Sequence, residues 1–157
     1  MTYLEKVEIA KESGIKIEYD FSNRKNIVGI YKFFYIDEQN ESYCFYIGKS
    51  TDVAYRLLGS SDGHIYMYLK NNLTKLVPLK IKEYIDKGYK IKVTIDEIDY
   101  RDTSFSKAAH RLALAEIREI VRYQEMGQCQ FQTPEGTGTH EEQFWEQNYK
   151  NEEVEDY

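Results

Sequence analysis

Cysteine is scarce in this chain: Cys44 and Cys129 are its only two, far apart in sequence and in no metal-ligating spacing. That argues against a disulfide framework or a cysteine zinc site, and points to reduced thiols in a cytoplasm. No apolar run approaches the length of a membrane span. The opening Met1-Thr2-Tyr3-Leu4-Glu5-Lys6 has neither the basic start nor the apolar core of an export signal, so no membrane partner is expected. An excess of basic residues is missing too. The net charge is −6, which argues against nonspecific binding to a polyanion. No internal repeat and no second domain are discernible.

What is present fits one ordinary domain spanning 1–157. A chain of 157 residues with 41% hydrophobic and 31% charged content can bury a real core. Its acidity is uneven. From Glu135 to Tyr157 there are eight acidic residues and one basic residue, Lys150. Removing these from the totals of 27 acidic and 21 basic leaves 19 and 20, so residues 1–134 are close to neutral. The acidity is a property of the segment 127–157, and local patches elsewhere can still contact phosphate.

Two tripeptides anchor the pattern: Gly29-Ile30-Tyr31 and, fifteen residues after Tyr31, Tyr46-Ile47-Gly48. Each lies in an aromatic and β-branched run, and the polar break Asp37-Glu38-Gln39-Asn40-Glu41 between them reads as a hairpin turn. Alternation puts Gly29, Tyr31, Phe33 and Tyr35 on one face and Val28, Ile30, Phe34 and Ile36 on the other. In the second strand it puts Cys44, Tyr46 and Gly48 opposite Phe45 and Ile47. Pairing can bring the Tyr31 and Tyr46 hydroxyls into one site, with the glycines leaving room for a ligand near the backbone.

Around this hairpin the periodicity predicts a short N-terminal helix over 3–13 with Leu4 and Val7 inward, ending near Gly14. Ile15 to Tyr19 alternates briefly and reads as extended. Ser50, Thr51 or Asp52 can cap a two-turn helix that carries Arg56 and stops at Gly59. His64 opens a second helical segment. A third starts near Pro78 and runs to Lys87, and Lys90–Asp99 alternates as a third strand. Thr103 or Ser104 caps the longest helix, which runs through Ala108, Leu112, Ala113, Ile117 and Ile120 and stops near Gly127. Glu116 lies four after Leu112 and four before Ile120, so its carboxylate is aimed along the apolar stripe. An inward carboxylate calls for an ion-pair partner such as Arg56 or for a metal. Glu119, Arg118 and Arg122 fall on the outward side. Tyr55, Tyr66 and Tyr68 read as packing residues and His110 as surface.

Taken together, Gly29-Ile30-Tyr31, Tyr46-Ile47-Gly48-Lys49, Arg56-Leu57 and Ala113-Leu114-Ala115-Glu116 followed by Ile120 make the chain resemble the GIY-YIG nuclease family over residues 27–126. Residues 1–26 and 127–157 would then be short additions to that core. The resemblance implies an α+β fold, a small three-stranded antiparallel sheet flanked by helices. It implies one divalent cation on Glu116, Mg²⁺ with Mn²⁺ as substitute, since a hard carboxylate suits an ion that keeps several waters. By similarity Tyr31 activates the attacking water, Tyr46 orients it or shares that role, and Arg56 braces the charge of the transition state. Lys49 and Arg56 would favour a phenolate. His64 stands where the family often has a histidine or tyrosine, to bind phosphate or move a proton; a loop histidine without such a role is the alternative. The asparagine common after the family's glutamate helix is missing unless Asn148 supplies it.

The basic stretch from Lys70 to Lys92, Lys80 and Lys82 included, is the best local source of phosphate contacts, or else a solvated helix face. The expected activity is metal-dependent cleavage of DNA. A compact restriction-type enzyme comes first, with a homodimer as the expected way of cutting both strands. A stand-alone phage, mobile-element or structure-specific nuclease comes second. A non-catalytic nucleic-acid or partner-binding module on the same scaffold is the reading from another class.

Overall fold

The computed structural model describes residues 1–21, 27–130 and 132. Its elements follow the order α1 (Tyr3–Glu12), β1 (Ile15–Glu18), β2 (Gly29–Ile36), β3 (Ser42–Ser50), α2 (Val53–Leu58), α3 (His64–Leu69), α4 (Leu76–Asp86), β4 (Lys90–Glu97) and α5 (Phe105–Glu125). The α+β class holds, but the sheet is four-stranded and mixed, in the order β1-β4-β2-β3. The strand beyond the expected three is β1. Its alternating Ile15 and Ile17 need a partner, and the free edge of β4 provides one in parallel register, Ile15 opposite Ile91 and Ile17 opposite Val93.

β2 is an inner strand, antiparallel to both β3 and β4. Its two faces feed two apolar clusters. Tyr31 and Phe33 pack with Leu57, Ile65 and Ile81 of α2, α3 and α4, while Ile30 and Phe34 pack with Leu112 and Ile120 of α5. Helices therefore cover both faces. β3 is an outer strand, and the candidate residues gather along it. No helix among the described residues is long and apolar enough to cross a membrane.

Most helix ends follow the expected chemistry. The Asp52 side chain caps α2 by accepting from Tyr55 N–H at 3.2 Å, and Ser104 caps α5 through Lys107 N–H at 3.2 Å. α4 begins at Leu76, two residues before Pro78. First-turn N–H groups have no helical partner, so proline is tolerated throughout that turn. α1 departs more. Lys6 and Ala10 are its buried residues and Leu4 is 52% exposed. Lys6 turns inward because its ammonium donates to the Leu58 carbonyl at 2.6 Å, at the end of α2, and lies 4.1 Å from the centre of the Tyr66 ring.

Candidate active site

The hairpin register sets Tyr31 opposite Gly48 and Phe33 opposite Tyr46. Both tyrosines thus stand on the face covered by α2–α4. Their rings stack with centroids 6.4 Å apart and an interplanar angle of 26°. The glycines do not hold a space open for a ligand. A Cβ on Gly48 would run into the Tyr31 ring, with Cε2 at 2.8 Å and Cζ and the hydroxyl closer, so Gly48 is the floor on which that ring lies. A Cβ on Gly29 would meet the Asp96 backbone, so that glycine serves the close packing of β2 on β4.

The expected alternation in β3 breaks at one place. The register shifts between Phe33 and Phe34, whose partners are Tyr46 and Cys44, leaving Phe45 as the extra residue of a β-bulge. Phe45 consequently joins Tyr31 and Phe33 on one face, and Cys44 joins Ile47 on the other. The bulge leaves Tyr46 on the Tyr31 side while reversing its two predecessors.

Arg56 and His64 come to the tyrosines from α2 and α3. α2 is tied to the chain just before β2 by Val53 N–H donating to the Ile27 carbonyl at 2.9 Å. Arg56, an exposed residue, acts on the Tyr31 hydroxyl in the direction that lowers its pKa. His64, 6% exposed, places Nε2 2.9 Å from the Tyr31 hydroxyl, and its ring centroid is 5.6 Å from each of the Tyr31 and Tyr46 ring centroids. This is not a loop histidine: it opens α3 and is packed into the site.

Glu116 arrives from the opposite face. It sits on α5, its side chain 14% exposed, with Oε1 3.5 Å from the ammonium of Lys49, whose side chain is 42% exposed. Lys49 is thus the ion-pair partner seen for this carboxylate. The charge of Glu116 is felt at both phenols, raising the pKa of Tyr31 and of Tyr46. The carboxylate and the hydroxyls are therefore electrostatic neighbours around β3, although their elements lie on different faces of the sheet.

The electrostatics differ from the expected phenolate. Burial is the largest influence on Tyr31, which is 1% exposed, and it raises the pKa far above the ordinary value; Tyr46 and Glu116 push the same way and Arg56 only partly opposes them. Tyr31 is a protonated phenol here. Burial also lowers His64, to about 3, with Arg56 and Lys75 adding to the effect. The imidazole is neutral, so the pair is an uncharged phenol beside an uncharged base.

Lys80 and Lys82 lie on α4 and pair within their own helix, Lys80 with Glu83 at 3.0 Å and Lys82 with Asp86 at 2.9 Å. Such pairs belong to the helix's own surface, with Lys82 the more exposed of the two lysines. Asn148 lies outside the described residues. Three contributors escaped sequence reasoning. Lys75, just before α4, is one of the two cations acting on His64; it was one lysine of a long basic stretch, with nothing local to single it out. Lys32 is buried under α5 and bridges Asp96 at 3.1 Å and Glu119 at 3.4 Å, so Glu119 is a strut to the sheet rather than a solvated residue. Gln132 closes the outer edge of β3, accepting from Ile47 N–H at 2.9 Å and donating to Ile47 O at 2.8 Å.

Among the described residues no group of three or more His, Cys, Asp or Glu is placed to enclose a metal ion. A single carboxylate fits only an ion that completes its shell from water and substrate oxygens, as Mg²⁺ does. Glu116 is of that kind, a part-buried hard ligand beside a half-exposed lysine. No protein-family model, curated protein or solved structure matches the chain.

Proposed function

We propose that the protein is a metal-dependent DNA endonuclease, a compact GIY-YIG-like enzyme of restriction type. The observation that carries this reading is the convergence on Tyr31 of His64, Arg56 and Tyr46, from three different elements, with Glu116 acting on the same hydroxyl. A structural tyrosine cluster has no need of an exposed arginine and a part-buried carboxylate whose charges both act on one hydroxyl. Hydrolysis of a phosphodiester needs both.

Glu116 would hold the Mg²⁺, which when bound supplies Lewis-acid stabilisation of phosphate oxygens. The rest falls to the chain. Arg56, exposed and always charged, receives the phosphate and balances the charge that builds in the transition state. The arriving phosphate also changes the base. Burial, and then Arg56 and Lys75, disfavour a proton on His64, and a phosphate anion set against the two cations offsets their share. As the attacking water gives its proton to the Tyr31 oxygen, the Tyr31 proton passes to His64 Nε2 over the existing 2.9 Å contact, so that no free phenolate forms at the buried hydroxyl. Tyr46, stacked on Tyr31, lines the path of that water. The positive charge of Arg56, acting on the Tyr31 oxygen, favours the orientation in which Tyr31 donates to His64.

The Lys49–Glu116 ion pair favours a second reading, a non-catalytic nucleic-acid-binding module in which lysine permanently occupies the carboxylate. Incubation with supercoiled plasmid, single-stranded DNA and a branched duplex in Mg²⁺ separates the readings. Discrete plasmid fragments support a restriction-type enzyme, and cutting confined to branches moves the assignment to a structure-specific nuclease. Binding without cutting of any of the three defeats the enzyme.

A further inference from the structure

Cys44 and Cys129, 85 positions apart, meet on the α5 side of the sheet with their sulfurs 3.4 Å apart, both free thiols and each residue 2% exposed. Cys44 belongs to β3, two residues before Tyr46, and its thiol also faces the Tyr46 carbonyl at 3.7 Å. Cys129 has φ +56°, in the left-handed region that side-chain-bearing residues avoid. Its surroundings hold it there. Cys129 N–H donates to Cys44 O at 3.0 Å, Gln128 Oε1 accepts from Cys44 N–H at 2.6 Å, and Gln124 Nε2 donates to Cys129 O at 3.2 Å. With the Gln132 amide on Ile47, these contacts run beside β3 as a further strand would. A cavity of ≈ 170 Å³ opens at this edge of the sheet, lined by Cys44, Cys129, Tyr35, Tyr84 and Gln128 among others.

We propose that Cys44 and Cys129 are an oxidisable dithiol site that closes to a disulfide and clasps the chain after α5 onto β3, beside Tyr46-Ile47-Gly48. A disulfide bond of about 2.05 Å requires each sulfur to move only about 0.7 Å from its present place. The oxidant is a small-molecule disulfide of the glutathione type. The contact with Cys129, and then burial, hold the Cys44 thiol protonated, which leaves the first attack to Cys129. Its thiolate forms a mixed disulfide and expels one small thiolate. The Cys44 sulfur, losing its proton, then attacks the Cys129 sulfur and expels the second. Two protein thiols are oxidised, one small disulfide is reduced, and the two cysteine protons end on the two released thiols. The bond would span 85 residues of chain, long enough to restrict the unfolded state strongly.

The test treats the full chain with oxidised glutathione, counts thiols after denaturation, maps disulfide-linked peptides and records thermal unfolding. Expected are the loss of both thiols without a glutathione adduct, a Cys44–Cys129 cross-link within one chain, and a midpoint raised by about 10 °C and restored by dithiothreitol. Cys44→Ser and Cys129→Ala should each lose the cross-link and the shift. Two thiols surviving treatment, a stable glutathione adduct on the wild type, or cross-links only between chains would overturn the proposal. None of these readouts depends on DNA cleavage, so the dithiol and the nuclease reading stand or fall separately.

Discussion

Replacing His64 by glutamine should flatten the acid sensitivity of folding. His64 is 6% exposed, packed against Tyr31, Phe33 and Tyr46, and faces Arg56 of α2 and Lys75 at the start of α4. Burial and those cations lower its pKa from 6.5 to about 3. The folded chain keeps the imidazole neutral down to that range, while the unfolded chain takes up a proton as pH falls through about 6.5. The stability is therefore intact above pH 6.5 and is lost progressively as pH falls towards 3. At about 1.4 kcal/mol per pH unit, the loss between pH 6.5 and 5 is about 2 kcal/mol. Glutamine offers Tyr31 a hydrogen-bond partner and does not titrate. Urea unfolding of both proteins at pH 7, 6 and 5 gives the measurement, and carboxylates common to both largely cancel in the difference. The stability gap should move by about 2 kcal/mol against the wild type on going from pH 7 to pH 5. Parallel pH profiles would refute a buried neutral histidine beside Tyr31.

Three further outcomes are expected. Gly48→Ala forces the buried Tyr31 ring off β3; urea unfolding should show a loss of about 2 kcal/mol, and DNA cleavage should fall with it. Lys32→Met should stay within about 1 kcal/mol of wild type, because an apolar side chain replaces a buried charge, whereas Asp96→Ala combined with Glu119→Ala strands the lysine and should cost about 3 kcal/mol in the same assay. Lys6→Met leaves the Leu58 carbonyl without its ammonium donor and should lower the urea midpoint by the equivalent of about 1 kcal/mol, with cleavage retained under folding conditions.

Much of this molecule was legible because its signals are local. Tyr31 and Phe33 alternate with Ile30 and Phe34 as a strand with two buried faces must, and Asp52, Gly59 and Ser104 mark helix ends through their own backbone chemistry. What escaped depends on partners distant in sequence. The bulge at Phe45 is a misfit between two strands, invisible in either one, and it exchanges the faces of Cys44 and Phe45. β1 was readable as extended, but its parallel pairing with β4 crosses more than seventy residues. Helical spacing points Leu4 inward and Glu119 outward, and buried lysines reverse both: Lys6 turns inward to reach Leu58 while Leu4 stays exposed, and Lys32 draws Glu119 towards the sheet. The site shows the same division. Tyr31, Tyr46, Arg56, His64 and Glu116 could be named from their motifs. That burial outweighs Arg56 at the Tyr31 hydroxyl, and that Lys75 acts on His64, required the packed fold.

The most direct test of the nuclease reading is cleavage of supercoiled plasmid in Mg²⁺ by the wild type beside Glu116→Gln, with folding of both checked by circular dichroism. The wild type should convert the plasmid to cut products. The variant, keeping the shape but not the charge proposed to hold the ion, should be slower by about 10²-fold or more. Equal cleavage by the two proteins, or none by a wild type that still binds DNA, would contradict the assignment of Glu116 and Tyr31 to one hydrolytic site.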